Sequence, residues 1–266
     1  MCYSAQDHTF VICAYKQSQY LEKCIKSLIN QTIHSNIIIS TSTPCEHIFK
    51  IAQKYAIDVY INTGRKSIAD DWNYGYSKAN TALITIAHQD DIYRPNYLEE
   101  ILRKANKSRK PLIIFTDYAE LRGTYVQSHN KLLFLKRVLL WLFRFPIFQY
   151  SRFIRRRSLA LGNGICCPSV TYVKPNLPDV IFQSGWKCDI DWQAWEKLSH
   201  LSGEFIFISK ILMLHRIHDE SETSNSIANN HRSEEDYQMF CMFWPKSVAK
   251  VLAKIYCKSE KLNKTV

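Results

Sequence analysis

Glycine and proline are scarce in this sequence, with 7 and 8 residues among 266. This low content excludes collagen-like repeats and low-complexity linkers, because both are rich in these two residues. Hydrophobic residues make up 46% of the chain, which excludes an intrinsically disordered protein. The length suits one domain, with or without additions, that buries a sizeable core.

Long apolar runs and cysteine motifs are missing as well. No stretch of about 18 uncharged apolar residues occurs, so the sequence predicts no membrane-spanning helix. The first residues, Met1–His8, are polar, and we expect no secretory segment there. The nine cysteines are odd in number and include no CxxC pair. We therefore expect neither a disulfide framework nor a structural zinc site, but reduced thiols in a cytoplasmic protein.

Acidic residues are fewer than basic residues, and this imbalance indicates the charge of a binding partner. The chain carries 35 basic and 24 acidic residues, for a formal net charge of +11. Such a surplus favours an anionic partner, which is nucleic acid, anionic lipid or a phosphorylated small molecule. The sequence contains no nucleic-acid-binding motif, so we do not expect nucleic acid to be that partner.

The first 120 residues alternate between short apolar runs and segments with helical spacing. Strands are predicted at Phe10–Tyr15, Ile37–Ser40, Ile57–Ile61, Ala82–Ala87 and Leu112–Thr116. Helices are predicted between them, at 18–30, 46–56, 67–80 and from Pro95 to about Lys107. The alternation predicts an α/β fold with a mainly parallel sheet flanked by helices. Ligands of such sheets bind beyond the carboxyl ends of the strands, here after Tyr15, Ile61 and Ala87.

Two adjacent carboxylates follow the fourth predicted strand, in the segment His88-Gln89-Asp90-Asp91. Neighbouring acidic side chains repel each other unless a cation, hydrogen bonds or solvent offset the repulsion. A divalent metal ion is one solution, because it binds carboxylate and phosphate oxygens together. The alternative is that Asp90 or Asp91 caps the helix that begins near Pro95. The spacing alone leaves both interpretations open.

Several segments, taken in order over about residues 9–220, resemble glycosyltransferase family 2, which has the GT-A fold. The segments are Phe10–Lys16, Leu21–Thr32, Asn62–Gly64, Asn73–Gly75 and His88–Asp91, the last resembling the DxD motif. The resemblance implies a GT-A-like, Rossmann-type mixed sheet, with a basic amphipathic insertion and C-terminal helices added. It also implies a nucleotide-sugar donor, a divalent metal ion (Mg or Mn) and inversion at the anomeric carbon.

The resemblance further implies roles for individual residues. Asp90 stands where the family has its metal-binding aspartate, and His218, in a late basic segment, would complete the metal ligands. His88 replaces the first aspartate of the motif; an imidazole can bind a metal, ribose or phosphate but adds no negative charge. Arg216 would neutralise the leaving diphosphate. The predicted donor-binding residues are Ala14, Tyr15, Thr41, Asn62, Asn73, His88, Asp91 and Arg216. Asp91 would either orient the loop or reach the sugar.

A second acidic pair, Asp189 and Asp191, precedes an aromatic-rich segment. Sugar transfer needs a base for the proton of the acceptor hydroxyl, and the resemblance implies Asp191, with Asp189 as the weaker candidate. Alternatively, either aspartate caps a helix whose apolar stripe includes Trp192. Gly164 and Trp192 are the predicted acceptor-binding residues, by close backbone approach and by ring stacking. An ordinary turn and core packing, respectively, are the alternatives.

Residues 131–157 combine eight basic residues with many bulky apolar ones and contain no acidic residue. A helix of this composition can lie in the headgroup layer of an anionic membrane. The tail repeats the pattern with Lys246, Lys250, Lys254 and Lys258, although docking on the domain explains it equally well. We therefore predict a peripheral protein on the cytoplasmic face of the cell membrane. Its acceptor would be a saccharide or lipid-linked saccharide of a bacterial cell-surface polysaccharide.

Four stretches make up the predicted organisation: a nucleotide-sugar-binding half (1–120), the basic insertion (121–160), an acceptor-side half (161–224) and a helical tail (225–266). Two other functions compete with sugar transfer. A nucleotidyltransferase that makes sugar nucleotides usually has a glycine-rich loop after the first strand, whereas Ala14–Ser18 contains no glycine. A catalytically silent membrane-associated scaffold is disfavoured by the presence of Asp90, Asp91 and Asp191 in the expected order.

Overall fold

The computed structural model describes residues 2–218 and 231–261. The strands are β1 (His8–Ala14), β2 (Asn36–Thr41), β3 (Asp58–Ile61), β4 (Leu83–His88), β5 (Ile92–Tyr93), β6 (Pro111–Arg122), β7 (Tyr125–Gln127), β8 (Val170–Val173) and β9 (Glu204–Ile217). The helices are α1 (Leu21–Ile29), α2 (Glu46–Lys54), α3 (Ile68–Lys78), α4 (Tyr97–Ala105), α5 (Lys131–Leu139), α6 (Pro146–Gln149), α7 (Arg152–Leu159), α8 (Ile190–Ser199), α9 (His231–Cys241) and α10 (Lys246–Lys261). The alternation predicted for the first 120 residues is confirmed.

The described strands form one mixed sheet in the order β3-β2-β1-β4-β8-β6-β9-β5, with β7 paired to β6. Strands β1 to β4 run parallel to one another, because a helix between each pair returns the chain to the same edge. Strand β8 is antiparallel to β4 and β6, whereas β6 and β9 are parallel. The sequence analysis does not predict β5, β7 and β8, because two to four residues are too short to show a period.

Two hydrophobic clusters cover the sheet, one on each face. In β1, Phe10 and Ile12 belong to one cluster and Val11 to the other, as the alternation of side chains along a strand requires. Strand β1 is therefore buried from both sides, which explains why it reads as a continuous apolar run. A strand held this firmly gives the loop at its carboxyl end a fixed position.

The carboxyl ends of the first four strands meet along one edge of the sheet. The register pairs Cys13 of β1 with His88 of β4, and Ala14 of β1 with Thr41 of β2. Thr41 is in turn paired with Ile61 at the end of β3. The three places where the sequence analysis expects ligand contacts therefore lie side by side.

The short strand β5 brings a distant part of the chain to this edge. It begins directly after Asp91 and pairs with β9 through Ile92 and Leu214. This antiparallel pairing places the last residues of β9 beside the segment that follows β4. The basic residues from His215 to His218 thereby reach Asp90 and Asp91.

Residues 131–157 do not form one helix, and that expectation is wrong. Three short helices, α5, α6 and α7, form instead. A 3-10 turn at Trp141–Arg144 separates α5 from α6, which begins at Pro146, a residue that cannot continue a preceding helix. Tyr150 and Ser151 separate α6 from α7. Buried Leu133, Phe143 and Leu159 attach them to the domain. Within residues 2–218 and 231–261, no helix combines the length and the apolar character needed to cross a membrane.

The helical tail and its break at Pro245 are confirmed for the described residues. Helix α10 buries Ala249 and Ala253, and its Tyr256 packs against Trp192, so the tail docks on the domain. The side chain of Lys258 and the segment 219–230 lie outside the described residues. The predicted boundary at residue 121 falls within β6, and the division into four stretches stays a prediction.

Candidate active site

Gln89 ties the loop after β1 to the loop after β4. Its side-chain amide donates to the carbonyl oxygen of Tyr15 (Nε2–O 3.0 Å) and accepts from the Tyr15 N–H (N–Oε1 3.1 Å). Lys16 then takes a φ of 55°, and its N–H donates to Thr43 Oγ1 at 2.6 Å. The loop is thus held against both neighbouring strand ends, with Ala14 buried and Tyr15 exposed.

Asp90 faces basic side chains from β9. Its Oδ2 lies 2.9 Å from His218 Nε2, and its backbone oxygen accepts a bond of 2.8 Å from Arg216 Nε. The ring of Tyr20 packs beside both, with its centre 4.4 Å from the Arg216 guanidinium and 5.0 Å from the His218 ring. The structure thus brings together the predicted metal ligands and the predicted diphosphate-binding arginine.

Asp91 is fully buried and ties β9 to the end of β4. Its Oδ1 accepts the backbone N–H of Arg216 at 2.8 Å and lies 3.0 Å from His215 Nδ1. These contacts agree with a role for Asp91 in orienting the loop after β4, and its donor contact stays a prediction. The helix-cap interpretation is wrong, because α4 begins at Tyr97 and Asn96 is its N-cap residue.

His88 lies between Trp72 and the carboxylates. Its ring stacks on Trp72 with centres 5.0 Å apart, and its Nδ1 is 3.9 Å from Asp91 Oδ2. Its Nε2 is buried and has no hydrogen-bond partner in the described part of the chain. Ligand atoms of His88, Asp90 and Asp91 lie within 4.8 Å of one another. One imidazole nitrogen and two carboxylate oxygens, with His218 beside them, fit a divalent cation.

Burial and neighbouring charges set the protonation of this cluster. Burial opposes the ionisation of Asp90, but His218, His88 and His215 outweigh it, so the pKa of Asp90 lies below its ordinary value. Burial lowers the pKa of His88 despite the nearby carboxylates. Burial also acts to lower the pKa of His215, but its contact with Asp91 raises that pKa overall. An ionised Asp90 beside a neutral His88 is the combination that binds a metal.

Asp191 lies in the first turn of α8 and is half-buried. Its Oδ2 accepts a hydrogen bond of 2.9 Å from Asn163 Nδ2, and its Oδ1 accepts the Trp192 N–H at 2.7 Å. Burial raises the pKa of Asp191, and the bond from Asn163 opposes that rise. The charge of Asp191 acts on the His88 ring, so the second acidic pair lies within electrostatic range of the first. A carboxylate with a raised pKa is suited to accept a proton.

Asp189, the weaker candidate for the base, is buried and precedes α8. Burial and the neighbouring Asp236 raise the pKa of Asp189 well above its ordinary value. Its side chain does not cap the helix, so that interpretation is wrong for Asp189. Glu235 instead fixes the segment just ahead of α8, because it accepts three backbone N–H bonds, from Lys187, Cys188 and Asp189.

Comparison with known proteins identifies the family. A sequence model described as Glycosyl transferase family 2 matches residues 9–175, more than half of the chain. The chain belongs to this family. It is 24% identical over 231 residues to an uncharacterized glycosyltransferase of Rickettsia typhi, covering 83% of this chain and 67% of that relative. The protein is a glycosyltransferase, and the competing nucleotidyltransferase interpretation finds no support.

Two solved structures share the fold of this glycosyltransferase. Residues 1–349 of S. aureus TarS, in complex with UDP-GlcNAc, match with a TM-score of 0.63 and 12% identity over 93% of this chain and 70% of that one. The mannosyltransferase PcManGT from Pyrobaculum calidifontis, in complex with GDP-Man and Mn²⁺, matches with a TM-score of 0.64 and 12% identity over 96% and 70%. At these identities the likeness concerns the fold, and the GT-A prediction is confirmed.

The glycosyltransferase carries a further carboxylate, from α3, beside the ends of β2 and β3. Asp71 accepts hydrogen bonds from Ser42 Oγ at 2.6 Å and from Asn62 Nδ2 at 2.8 Å. Asn62 also accepts the Gly64 N–H at 3.0 Å, and Thr41 is buried behind this network. The sequence analysis misses Asp71, because Asp70-Asp71 reads as an ordinary acidic first turn of a helix.

Asn73 is predicted to bind the donor, but its amide is used for a structural contact. Its Oδ1 accepts the N–H groups of Ile181 and Phe182, each at 3.0 Å. Its Nδ2 donates to the carbonyl oxygen of Phe182 at 2.7 Å. The Asn73 side chain therefore fixes the segment ahead of α8 to α3, which positions the helix that carries Asp191.

The two predicted acceptor contacts are wrong for the same reason. Trp192 is fully buried, and its Nε1 donates to the carbonyl oxygen of Leu159, so the core-packing alternative is correct. Gly164 is buried against α5, where a Cβ atom would lie 3.2 Å from the carbonyl oxygen of Lys136. Its small size therefore permits close helix packing and not the approach of a sugar.

Proposed function

We propose that this glycosyltransferase moves a sugar from a nucleotide-sugar donor to an acceptor hydroxyl, with a divalent metal ion and inversion at the anomeric carbon. The observation that carries the proposal is the strand-end cluster, where ligand atoms of His88, Asp90 and Asp91 lie within 4.8 Å. The structural neighbours add support, because TarS was solved with UDP-GlcNAc and PcManGT with GDP-Man and Mn²⁺. A bound Mg²⁺ or Mn²⁺ supplies positive charge that offsets the donor diphosphate.

We assign Asp90 as the carboxylate ligand of the metal. His218 lies beside it, and His88 has a buried Nε2 with no hydrogen-bond partner in the described part of the chain. These two histidines are the proposed nitrogen ligands. Arg216 is held by the Asp90 carbonyl oxygen and the Tyr20 ring, so its charge is fixed beside this cluster. Negative charge grows on the diphosphate as the bond to the sugar breaks. A cation already held in place stabilises that charge without rearrangement.

We assign the nucleoside end of the donor to the neighbouring edge formed by β1, β2 and β3. The loop after Ala14 exposes Tyr15 there. Asn62 shapes the edge through its bond to Asp71, and the carbonyl oxygen of Thr41 accepts the Asn62 N–H at 2.8 Å. Crevices at the carboxyl ends of parallel strands bind nucleotides in this fold class.

Asp191 takes the proton of the acceptor. In a single displacement the acceptor oxygen bonds to the anomeric carbon, the bond from that carbon to the diphosphate oxygen breaks, and the hydroxyl proton passes to the Asp191 carboxylate. The raised pKa of Asp191 strengthens it as a proton acceptor. The acceptor in this proposal is a saccharide or lipid-linked saccharide of a cell-surface polysaccharide.

A panel of nucleotide sugars tests the donor without knowledge of the acceptor. Thermal unfolding is followed with each donor in Mn²⁺, in Mg²⁺ and in chelator. One donor is expected to raise the Tm only when metal is present, because a ligand at 100 times its Kd adds about 2.7 kcal/mol to the free energy of unfolding. An equal rise in chelator would refute the metal assignment, and no rise with any donor would refute the donor class.

A further inference from the structure

Residues 131–161 present a concentration of exposed apolar side chains, and we call their outward side the α5–α7 face. Phe134, Ile147 and Phe153 are 69, 79 and 70% exposed. Further exposed apolar residues in this stretch are Leu135, Val138, Trp141, Phe145, Tyr150 and Leu161. Single exposed apolar residues are normal on a soluble protein, but a concentration of this kind indicates an interaction surface.

The cations of the same stretch divide into two groups. Four are bound to protein oxygens: Lys136, Arg137, Arg155 and Arg156. Four are exposed and form no ion pair within the described residues: Lys131, Arg144, Arg152 and Arg157. No acidic residue occurs anywhere in residues 131–161. The face therefore combines exposed apolar groups with four cations that form no ion pair in the described parts of the chain.

A cleft of about 870 Å³ lies along α5 within this face. Phe134 and Val138 line it, at a spacing of four that places them on one side of α5, together with Trp141 from the following 3-10 turn. Lys131 and Arg144 line the same cleft. Arg137 also lines it but is paired with Asp117. An apolar wall beside the two other cations matches a molecule that has an anionic head and an apolar chain.

Helix α10 adds a second apolar stripe next to this face. Its exposed apolar residues fall three and four apart: Val248, Val251 and Ile255. On another side of the same helix, Ala249 and Ala253 are buried. Trp244, just ahead of α10, donates from Nε1 to the carbonyl oxygen of Ala160 at 2.7 Å and packs its ring under Arg157. The stripe is therefore attached to the end of the α5–α7 face.

We propose that the α5–α7 face docks on an anionic lipid bilayer. Its aromatic and aliphatic side chains enter the headgroup layer to a depth of about 5–10 Å, and its four exposed cations contact lipid phosphates. Charge complementarity selects this occupant, because a second copy of the face would bring cations against cations. Nucleic acid would pair with the cations but leave the apolar side chains in water. No residue of the active site takes part, so the proposal stands apart from the sugar-transfer reaction.

Vesicle binding by the full chain tests the proposal without substrate. The probes are vesicles of phosphatidylcholine alone and of phosphatidylcholine with about 30% phosphatidylglycerol, whose charge attracts basic surfaces. Co-sedimentation is expected only with the anionic vesicles and is expected to weaken at high salt. The same result with both vesicle types, or binding to neither, would overturn the proposal.

Two variants separate the apolar and the charged contributions. The apolar variant carries Phe134→Ser, Ile147→Ser and Phe153→Ser, and is expected to bind anionic vesicles at least tenfold more weakly. The charge variant carries Lys131→Gln, Arg144→Gln, Arg152→Gln and Arg157→Gln, and is expected to lose roughly fivefold per cation. All seven side chains are exposed, so the fold is expected to persist, and an unchanged Tm checks this.

Matched controls exclude a general effect of charge or hydrophobicity. Phe49→Ser removes an exposed aromatic ring from α2, and Lys23→Gln with Lys50→Gln, Lys107→Gln and Arg109→Gln removes four exposed cations elsewhere. Both controls are expected to bind anionic vesicles within about twofold of the unmodified chain. Equal losses in controls and variants would overturn the proposal. So would a dimer seen by light scattering that the apolar variant abolishes while vesicle binding is unchanged, because the face would then be an interface between copies.

Discussion

The two acidic pairs of the site, Asp90–Asp91 and Asp189–Asp191, resemble each other in sequence and differ in what surrounds them. In the first pair, Asp91 is fully buried among groups of β9, while Asp90 faces His218. In the second, Asp189 is buried near Asp236, while Asp191 is half-buried and accepts a hydrogen bond from Asn163. Each pair thus contains one fully or almost fully buried carboxylate and one, Asp90 or Asp191, that is only partly buried.

The two partly buried carboxylates, Asp90 and Asp191, differ in the direction of their pKa shifts. Burial opposes ionisation at both, but the imidazoles near Asp90 lower its pKa overall, whereas the pKa of Asp191 stays raised. A carboxylate with a lowered pKa holds a cation, and one with a raised pKa takes up a proton. The surroundings therefore support the proposed metal role of Asp90 and the proposed base role of Asp191.

The largest effect is expected from Asp191→Asn. The amide keeps the shape of the side chain and one of its two acceptor oxygens but cannot accept the proton, so we expect kcat to fall about 10²–10⁴-fold. Thermal stabilisation by the donor with Mn²⁺ is expected to remain. Asp189→Asn is the matched control and is expected to keep most of the activity, because burial already favours the uncharged form of Asp189. Comparable losses in the two variants would mean that the division within this pair is wrong.

A smaller loss is expected from Asp90→Asn. Without this charge the metal is held weakly, and we expect metal-dependent donor affinity to fall about 100-fold. Asp91→Asn is the matched change one position along, and it keeps an oxygen that can accept the Arg216 N–H. Isothermal titration with donor and Mn²⁺ compares the two variants. A larger loss of metal-dependent affinity in Asp91→Asn than in Asp90→Asn would reverse the assignment.

The partly buried member of each pair could be predicted from the sequence, because strand ends and helix starts are local features. The sequence analysis places Asp90 after a strand and Asp191 at a helix start, and the structure confirms both positions. The family resemblance then supplied their roles, which stay predictions. Local spacing and family resemblance together were therefore sufficient to choose these two residues.

The partners of the buried member of each pair could not be predicted, because they are far away in the chain. Asp91 bonds to Arg216, 125 residues later, and Glu235 reaches the start of α8 from 46 to 48 residues away. Short strand β5 sets the first contact and has no detectable period. The role of Trp192 could not be predicted for the same reason. Its ring can stack on a sugar or pack in a core, and the distant contact with Tyr256 of α10 shows that it packs in the core.

A moderate loss of stability is expected when Asp91, the buried aspartate of the first pair, loses its contact with His215. His215→Phe keeps an aromatic ring beside Tyr118 but removes the hydrogen bond to Asp91. A buried carboxylate that loses one partner costs about 1–3 kcal/mol in the free energy of unfolding. His200→Phe is the matched control, because the exposed pair of His200 with Glu196 is expected to contribute less than about 1 kcal/mol. Urea unfolding in chelator measures both, and equal losses would contradict a special role for the buried pair.

The smallest effect is expected in the pH profile. Asp191 accepts a proton only when it is ionised, so activity is lost as the pH falls through its raised pKa and is retained above that value. Asn163→Ala removes a hydrogen bond that favours the ionised form, so it raises this pKa further and moves the acidic limb of kcat upward by about one pH unit. Asn176→Ala removes an amide bonded to the carbonyl oxygen of Pro111 and is expected to leave the limb in place. An unshifted limb in Asn163→Ala would show that the limb reports a group other than Asp191, and it would break the contrast between the two pairs.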